Sequence, residues 1–197
     1  PEDRLIILEM GREKFLVTEA YYGKPWIWTT IRNYGNVVDL GDNLGNLISK
    51  VQEVRRSTRK GKLLGSGGIM EGLGYDPAVF EMVADLNWRE EITDLKAWIE
   101  EFIHHRYGRQ SKRMSQAWEG LLDTVYKKGS GDTVIWMRPG LNPRKRGGGP
   151  VPYDNLELAA VAHLMLDCAD EYGKVDTYLY DVVNVTRQTL ANAARPI

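Results

Sequence analysis

The chain is nearly without cysteine. Cys168 is the single one in 197 residues, so no internal disulfide can form and no zinc site can rest on cysteines alone. Set among Leu164, Met165, Leu166 and Ala169, it reads as a small buried core residue. Histidine is scarce too. His104 and His105 are adjacent and point to different faces of a helix, a poor spacing for a metal; His163 lies in an apolar helix and reads as a hydrogen-bonded core residue. No metal and no cofactor is expected. Neither sign of charge dominates: 26 basic residues stand against 27 acidic ones, for a net charge of -1. That excludes a surface built throughout to hold nucleic acid. No apolar run approaches the roughly 20 residues that cross a bilayer, so no membrane partner is expected. There is also no signal peptide. The chain starts at Pro1 and reaches a strand-like run by Leu5, so it reads as a piece of a longer protein, and the missing signal says nothing about compartment.

What is present divides at about residue 91. The first part holds short apolar runs at RLIILEM (Arg4 to Met10), PWIWTTI (Pro25 to Ile31) and KLLGSG (Lys62 to Gly67). Their continuous hydrophobicity suits parallel strands covered on both faces. A helix over Asn43 to Arg55 separates the second from the third, giving the strand–helix–strand unit of a parallel sheet. Each run ends in polar or glycine-rich sequence, where parallel α/β folds place their chemistry.

The second part, 92–197, reads as helices. Ahead of that boundary, Asp76-Pro77 is an N-cap with proline at the first helical position, leading into a helix over Ala78 to Trp88. Thr93 or Asp94 caps the next helix, which Gly108 stops. Met114 to Tyr126, Asn155 to Ala169 and Val175 to Ala194 repeat a helical spacing, with a Pro- and Gly-rich loop over Pro139 to Pro152. Short connections predict antiparallel neighbours.

Glu71 is the candidate carboxylate. It follows the third strand-like run, between Met70 and Gly72. An acid there can act as nucleophile, base or hydroxyl acceptor, or simply cap the next helix. The glycines at Gly65 to Gly68 allow close backbone approach; a phosphate cradle would need a following Lys and Ser/Thr pair, which is missing. Glu9, at the end of the first run, is either a second acid in the same cleft or a strand-end charge. Trp26 and Trp28 share a strand face; core packing is the simpler reading, and sugar stacking the other. Asn33 and Tyr34, just past the second run, are better placed to meet hydroxyls. The basic runs RRSTRKGK (Arg55 to Lys62) and RKRGGG (Arg144 to Gly149) read as solvated loop faces or as anion contacts.

Several stretches together resemble glycoside hydrolase family 89, the α-N-acetylglucosaminidases. GKPWIWTTIRNYGN resembles the family's G-x-P-[FW]-I-W segment and its Asn-aromatic-Gly turn. GIMEGLGYDPAVFEMVADLNWR resembles its M-x-P-E-G segment and the helix behind it. DLKAWIEEFIHHRYG, AWEGLLDTVYKK and YLYDVVNVTRQTLAN resemble three helices that follow, in the family's order. The resemblance spans most of residues 4 to 192. It implies an α/β fold: the last strands of a (β/α)-barrel, then an all-α helical domain. It implies removal of terminal α-linked N-acetylglucosamine from glycans such as heparan sulfate, with retention of configuration, in a lysosomal, secreted or periplasmic setting. It places the nucleophile on Glu71 and the sugar-site turn on Asn33, Tyr34 and Gly35; Trp28 and Glu9 are kept as further candidate sugar contacts. Two positions depart from the pattern. Met70 replaces the proline before the nucleophile and Arg32 replaces a frequent histidine, which leaves the shape of the sugar pocket open. The family's general acid lies upstream of the matching segments, so this piece alone is expected to be inactive. A non-catalytic glycan-binding or helical interaction module is the alternative.

Overall fold

The computed structural model of the chain describes residues 4–32, 39–72, 74, 76–129 and 151–194. It forms two compact units, Pro1–Val37 with Leu44–Thr93 and Val38–Asn43 with Asp94–Ile197.

The first unit is built on a three-stranded parallel sheet in the order β1 (Ile7–Glu9), β2 (Trp26–Arg32) and β3 (Leu63–Met70). Parallel neighbours need a long crossover. From β2 to β3 it contains α2 (Leu44–Arg56), and after β3 the chain enters α3 (Pro77–Trp88). Asp76 caps α3 by accepting from the Val79 amide at 3.3 Å, and Pro77 fills a first-turn position where no amide is needed.

From β1 to β2 the crossover is shorter and less regular. A 3-10 turn (Lys14–Leu16) is followed by α1 (Glu19–Tyr22), which is left-handed: all four residues have φ between 49° and 58° and none is glycine. Such residues cost about 1–2 kcal/mol each in this conformation. Packing holds the turn. Thr18 accepts from the Tyr21 amide at 3.1 Å. Ala20 is buried against Gly61, where even a Cβ would come within 2.4 Å of the Ala20 Cβ. Tyr21 lies 5.4 Å from the ring of Trp26, which also stacks on Phe15 at 5.0 Å and donates to the Lys60 carbonyl at 2.7 Å. Trp26 is fully buried, a contribution of about 4–6 kcal/mol that outweighs much of the strain. Tyr22 is strained and 80% exposed, so, like the exposed Glu19, it has little packing to lose. Tyr22→Gly is expected to stabilise the unit by about 1 kcal/mol, read from the urea midpoint; a loss of stability would remove the strain argument.

The glycines of β3 answer to packing. A Cβ on Gly68 would sit 2.5 Å from the Phe80 ring of α3, so helix and strand approach this closely only because no side chain intervenes. The Asn87 amide of α3 accepts from the Ser66 amide at 2.8 Å and donates to the Ser66 carbonyl at 2.7 Å. These glycines do not form a phosphate cradle. Nor does the basic run from Arg55 stand clear: Arg55 donates to the Arg89 carbonyl at 3.3 Å, Arg56 pairs with Glu91 at 2.5 Å, and Arg59 reaches the Leu16 carbonyl.

The second unit is helical: α4 (Leu95–Tyr107), α5 (Lys112–Asp123), α6 (Val125–Lys128), α7 (Asn155–Leu166), α8 (Ala169–Tyr172) and α9 (Asp176–Ala193). Asp94, Ser111 and Asp154 cap α4, α5 and α7 through their side chains. Trp98, Phe102, Trp118 and Tyr126 form a chain of ring contacts at 4.9–6.1 Å. At its centre Arg106 makes a bidentate pair with Asp181, at 2.5 and 2.9 Å. Tyr107 donates to the same carboxylate at 2.7 Å and accepts from the Trp118 indole at 3.1 Å.

Cys168 is buried, and burial pushes its thiol up. His163 corrects the sequence reading. It is exposed, because the buried face of α7 is Leu158, Val161, Ala162 and Met165. His104 and His105 are exposed as well.

Candidate active site

The two faces of the sheet can be told apart from what each side chain meets. In a strand successive side chains alternate, and residues paired in register share a face. Trp26 and Trp28 are buried, and Trp26 meets Phe15 and Tyr21 of the first crossover. Gly68 faces Phe80 of α3. This is the covered face. Gly67 points instead toward Ile27 and Thr29, so the opposite face carries Ile27, Thr29, Ile31, Gly67 and Ile69. On β1 and just past it, Leu8 and Met10 also belong to that opposite face and are about half exposed.

Glu71 follows Met70, the last residue of β3, and is exposed. It stands in a bend; one more step of the alternation would put it on the face of Gly67 and Ile69. The sequence had placed the strand's end at Gly67; the ladder runs three residues further, to the pair Arg32–Met70. That carries Glu71 to the carboxyl end of the sheet. Two layers below it Gly67 carries no side chain and is bordered by Thr29 and Ile27, while the space at Gly65 is taken by the Asn87 side chain of α3.

Glu9 and Trp28 are brought together, on the other face. They are register partners and both are buried. Glu9 accepts from the Arg12 amide at 2.7 Å, which closes the turn out of β1. Its main-chain carbonyl, at the end of a three-residue strand, accepts from Thr29 at 2.7 Å. The second carboxylate oxygen and the Tyr21 hydroxyl are both buried without a hydrogen-bond partner among the described residues. Burial first, and then the nearby Glu9 carboxylate, push the Tyr21 phenol up to about 12. Along the strands, Glu9 is level with Trp28 and Ser66, and Glu71 lies five residues beyond Ser66, roughly 16 Å farther at about 3.3 Å per residue. A retaining glycosidase needs its two carboxyl groups about 5–5.5 Å apart. Glu9 is therefore not a partner for Glu71 across one bond, and the Trp28 ring is not on the Glu71 face. The sequence left both readings open, because the strands are apolar on both faces and nothing in them marks which side is covered.

Asn33, Tyr34 and Gly35 lie outside the described residues. Each follows closely on Arg32, the register partner of Met70. Among the described residues no group of three or more His, Cys, Asp and Glu side chains gathers as a metal site, and no helix is long and apolar enough to cross a membrane.

A three-stranded parallel sheet with an acid past its carboxyl end, followed in the chain by a helical unit, fits the class of (β/α)-barrel proteins with a helical companion domain. Residues 1–90 match the family model described as the alpha-N-acetylglucosaminidase (NAGLU) tim-barrel domain, and residues 98–197 match the corresponding C-terminal domain. The chain belongs to the alpha-N-acetylglucosaminidase family. It is 26% identical over 200 residues to the alpha-N-acetylglucosaminidase of Homo sapiens, covering 96% of this chain and 26% of that protein. It is similar to a family 89 glycoside hydrolase of Clostridium perfringens in complex with 2-acetamido-1,2-dideoxynojirmycin, at a TM-score of 0.84 and 25% identity, over 98% of this chain and 23% of that one. A second structure from that organism, in complex with GlcNAc-alpha-1,4-galactose, superimposes at a TM-score of 0.83 with 24% identity over the same shares, and speaks for the fold. The chain thus spans about a quarter of the length of these relatives. The fold is the end of a (β/α)-barrel followed by an all-α domain.

Proposed function

We propose that the complete protein carrying this chain is a retaining exo-α-N-acetylglucosaminidase, acting on terminal α-linked N-acetylglucosamine of glycans such as heparan sulfate, with Glu71 as its nucleophile. The observation that carries this reading is the place of Glu71: exposed, one residue past the carboxyl end of β3. A carboxylate oxygen of Glu71 forms a bond to the anomeric carbon as the bond to the leaving oxygen breaks. A second carboxyl group, contributed by another part of the barrel, protonates that oxygen and then takes a proton from the water that cleaves the glycosyl-enzyme. Asn33, Tyr34 and Gly35 are assigned to the sugar hydroxyls. Glu9 and Trp28 support the sheet from its covered face.

The test is release of nitrophenol from a nitrophenyl α-N-acetylglucosaminide. The complete protein is expected to turn it over and the 197-residue chain alone is not. A complete protein that binds the sugar without cleaving it would favour the non-catalytic module; cleavage by the chain alone would place both carboxyl groups within it.

A further inference from the structure

The residue pair one layer beneath Glu71 is Ile31 with Ile69. They are register partners on neighbouring strands, on the sheet face opposite the one Phe80 of α3 covers. Ile69 stands two residues before Glu71, roughly 6–7 Å back along the strand. The layer below them is Thr29 with Gly67. Thr29 has its hydroxyl turned to the Glu9 carbonyl at 2.7 Å, so it presents its methyl, and Gly67 presents no side chain. The nucleophile therefore stands over an apolar step formed by two β-branched residues, whose χ1 freedom is small.

We propose that Ile31 and Ile69 form an apolar floor that receives the acyl methyl of the sugar's 2-acetamido group and sets which N-acyl chains the site accepts. The inference rests on Glu71 attacking the anomeric carbon. Given that, the nearest apolar group on the substrate is fixed by sugar chemistry. Carbon 2 is bonded to the attacked carbon, and its acetamido methyl lies about 4–5 Å away, while the ring's other substituents are hydroxyls and a hydroxymethyl. A methyl presented to a preformed apolar step gains contact, whereas a hydroxyl there would lose its hydrogen bonds with water. Because the two isoleucines come from adjacent strands of a hydrogen-bonded sheet, the floor is held rigidly. Removing one side chain should deepen the pocket and not collapse it.

The experiment compares nitrophenyl α-glycosides of N-acetyl-, N-propionyl- and N-butanoyl-glucosamine with the complete protein. The wild type is expected to prefer acetyl over butanoyl by 10-fold or more in kcat/KM, since one methylene in an apolar pocket is worth roughly 10–200-fold. Ile69→Ala is expected to lower kcat/KM for the acetyl substrate about 10-fold, mainly through KM, and to raise relative acceptance of the butanoyl substrate at least 10-fold. Ile31→Ala should act in the same direction. Ile69→Val and Ile31→Val remove one methyl each and should give intermediate ratios, which keeps the test open if an alanine variant fails to fold. An acetyl-to-butanoyl ratio that is the same in wild type and all folded variants overturns the proposal while leaving Glu71 in place. If Glu71→Gln retains near-normal hydrolysis, the reading of the site fails and the floor fails with it.

Discussion

Replacing Glu71 with glutamine is expected to lower hydrolysis of a nitrophenyl α-N-acetylglucosaminide by the complete protein roughly 10³-fold or more, with little change in melting temperature. Glutamine keeps the shape of the side chain and removes the charge and the nucleophilic oxygen. Stability should hardly move, because Glu71 is exposed beyond the end of β3 and is no part of the buried core. The loss should appear in kcat and not in KM. Glu9→Gln gives the contrast. Glu9 is buried on the covered face, it holds the turn out of β1 through the Arg12 amide, and its charge lies beside Tyr21. Its replacement should act on the melting temperature of the barrel unit and leave kcat within a few-fold of wild type.

The second large effect falls in the helical unit. Asp181→Ala is expected to destabilise it by about 3–5 kcal/mol, the range found when one partner of a buried ion pair is removed. At about 4–8 °C per kcal/mol for a unit of this size, the melting temperature should fall by about 12 °C or more. The reason is what the change leaves behind. The Arg106 and Asp181 side chains are 9% and 7% exposed. Without the carboxylate the guanidinium, 5.7 and 6.0 Å from the ring centres of Phe102 and Tyr180, loses its bidentate partner, and the Tyr107 hydroxyl loses that acceptor. Asp181→Asn keeps the volume and one acceptor, so it should cost clearly less. Burial raises the Asp181 carboxyl above its ordinary value, against the pull of Arg106 and Tyr107. A carboxyl raised in the folded state supplies stability that is present below its unfolded value and lost as pH rises through the folded one. The titration of Asp181 therefore does not drive acid unfolding: the gap between wild type and Asp181→Ala should persist as pH is lowered from 7 toward 5, in urea titrations at each pH.

Much of this architecture was legible in the sequence where local chemistry decides structure. Asp76-Pro77, Asp94 and Gly108 mark helix ends through caps and a left-handed glycine, and the structure uses each of them so. The apolar runs around Leu8, Trp26 and Leu63 became the parallel strands. What was not legible was decided by packing between distant segments. Glu19, Ala20, Tyr21 and Tyr22 have no intrinsic preference for positive φ; Gly61, 41 residues beyond Ala20, leaves room for its methyl, and the Trp26 ring on β2 packs against Tyr21. Gly68 reads locally as a breaker, yet it lies inside β3 because the Phe80 ring takes the space of a side chain. His163 was misread since α7 is apolar around much of its circumference, so sequence alone gives no direction inward. The site divides in the same way. Glu71 was found at a strand end, whereas the separation of Glu9 and Trp28 from it depends on which face the first crossover covers.

The most direct measurement is covalent trapping of the nucleophile. An activated fluoro analogue of N-acetylglucosamine glycosylates a retaining enzyme with loss of fluoride and is released slowly. After incubation with the complete protein and proteolysis, mass spectrometry should find the added sugar on the peptide carrying Glu71, and Glu71→Gln should abolish the label. A stable label on Glu9 or on any other carboxylate, with Glu71 unmodified, would contradict the assignment.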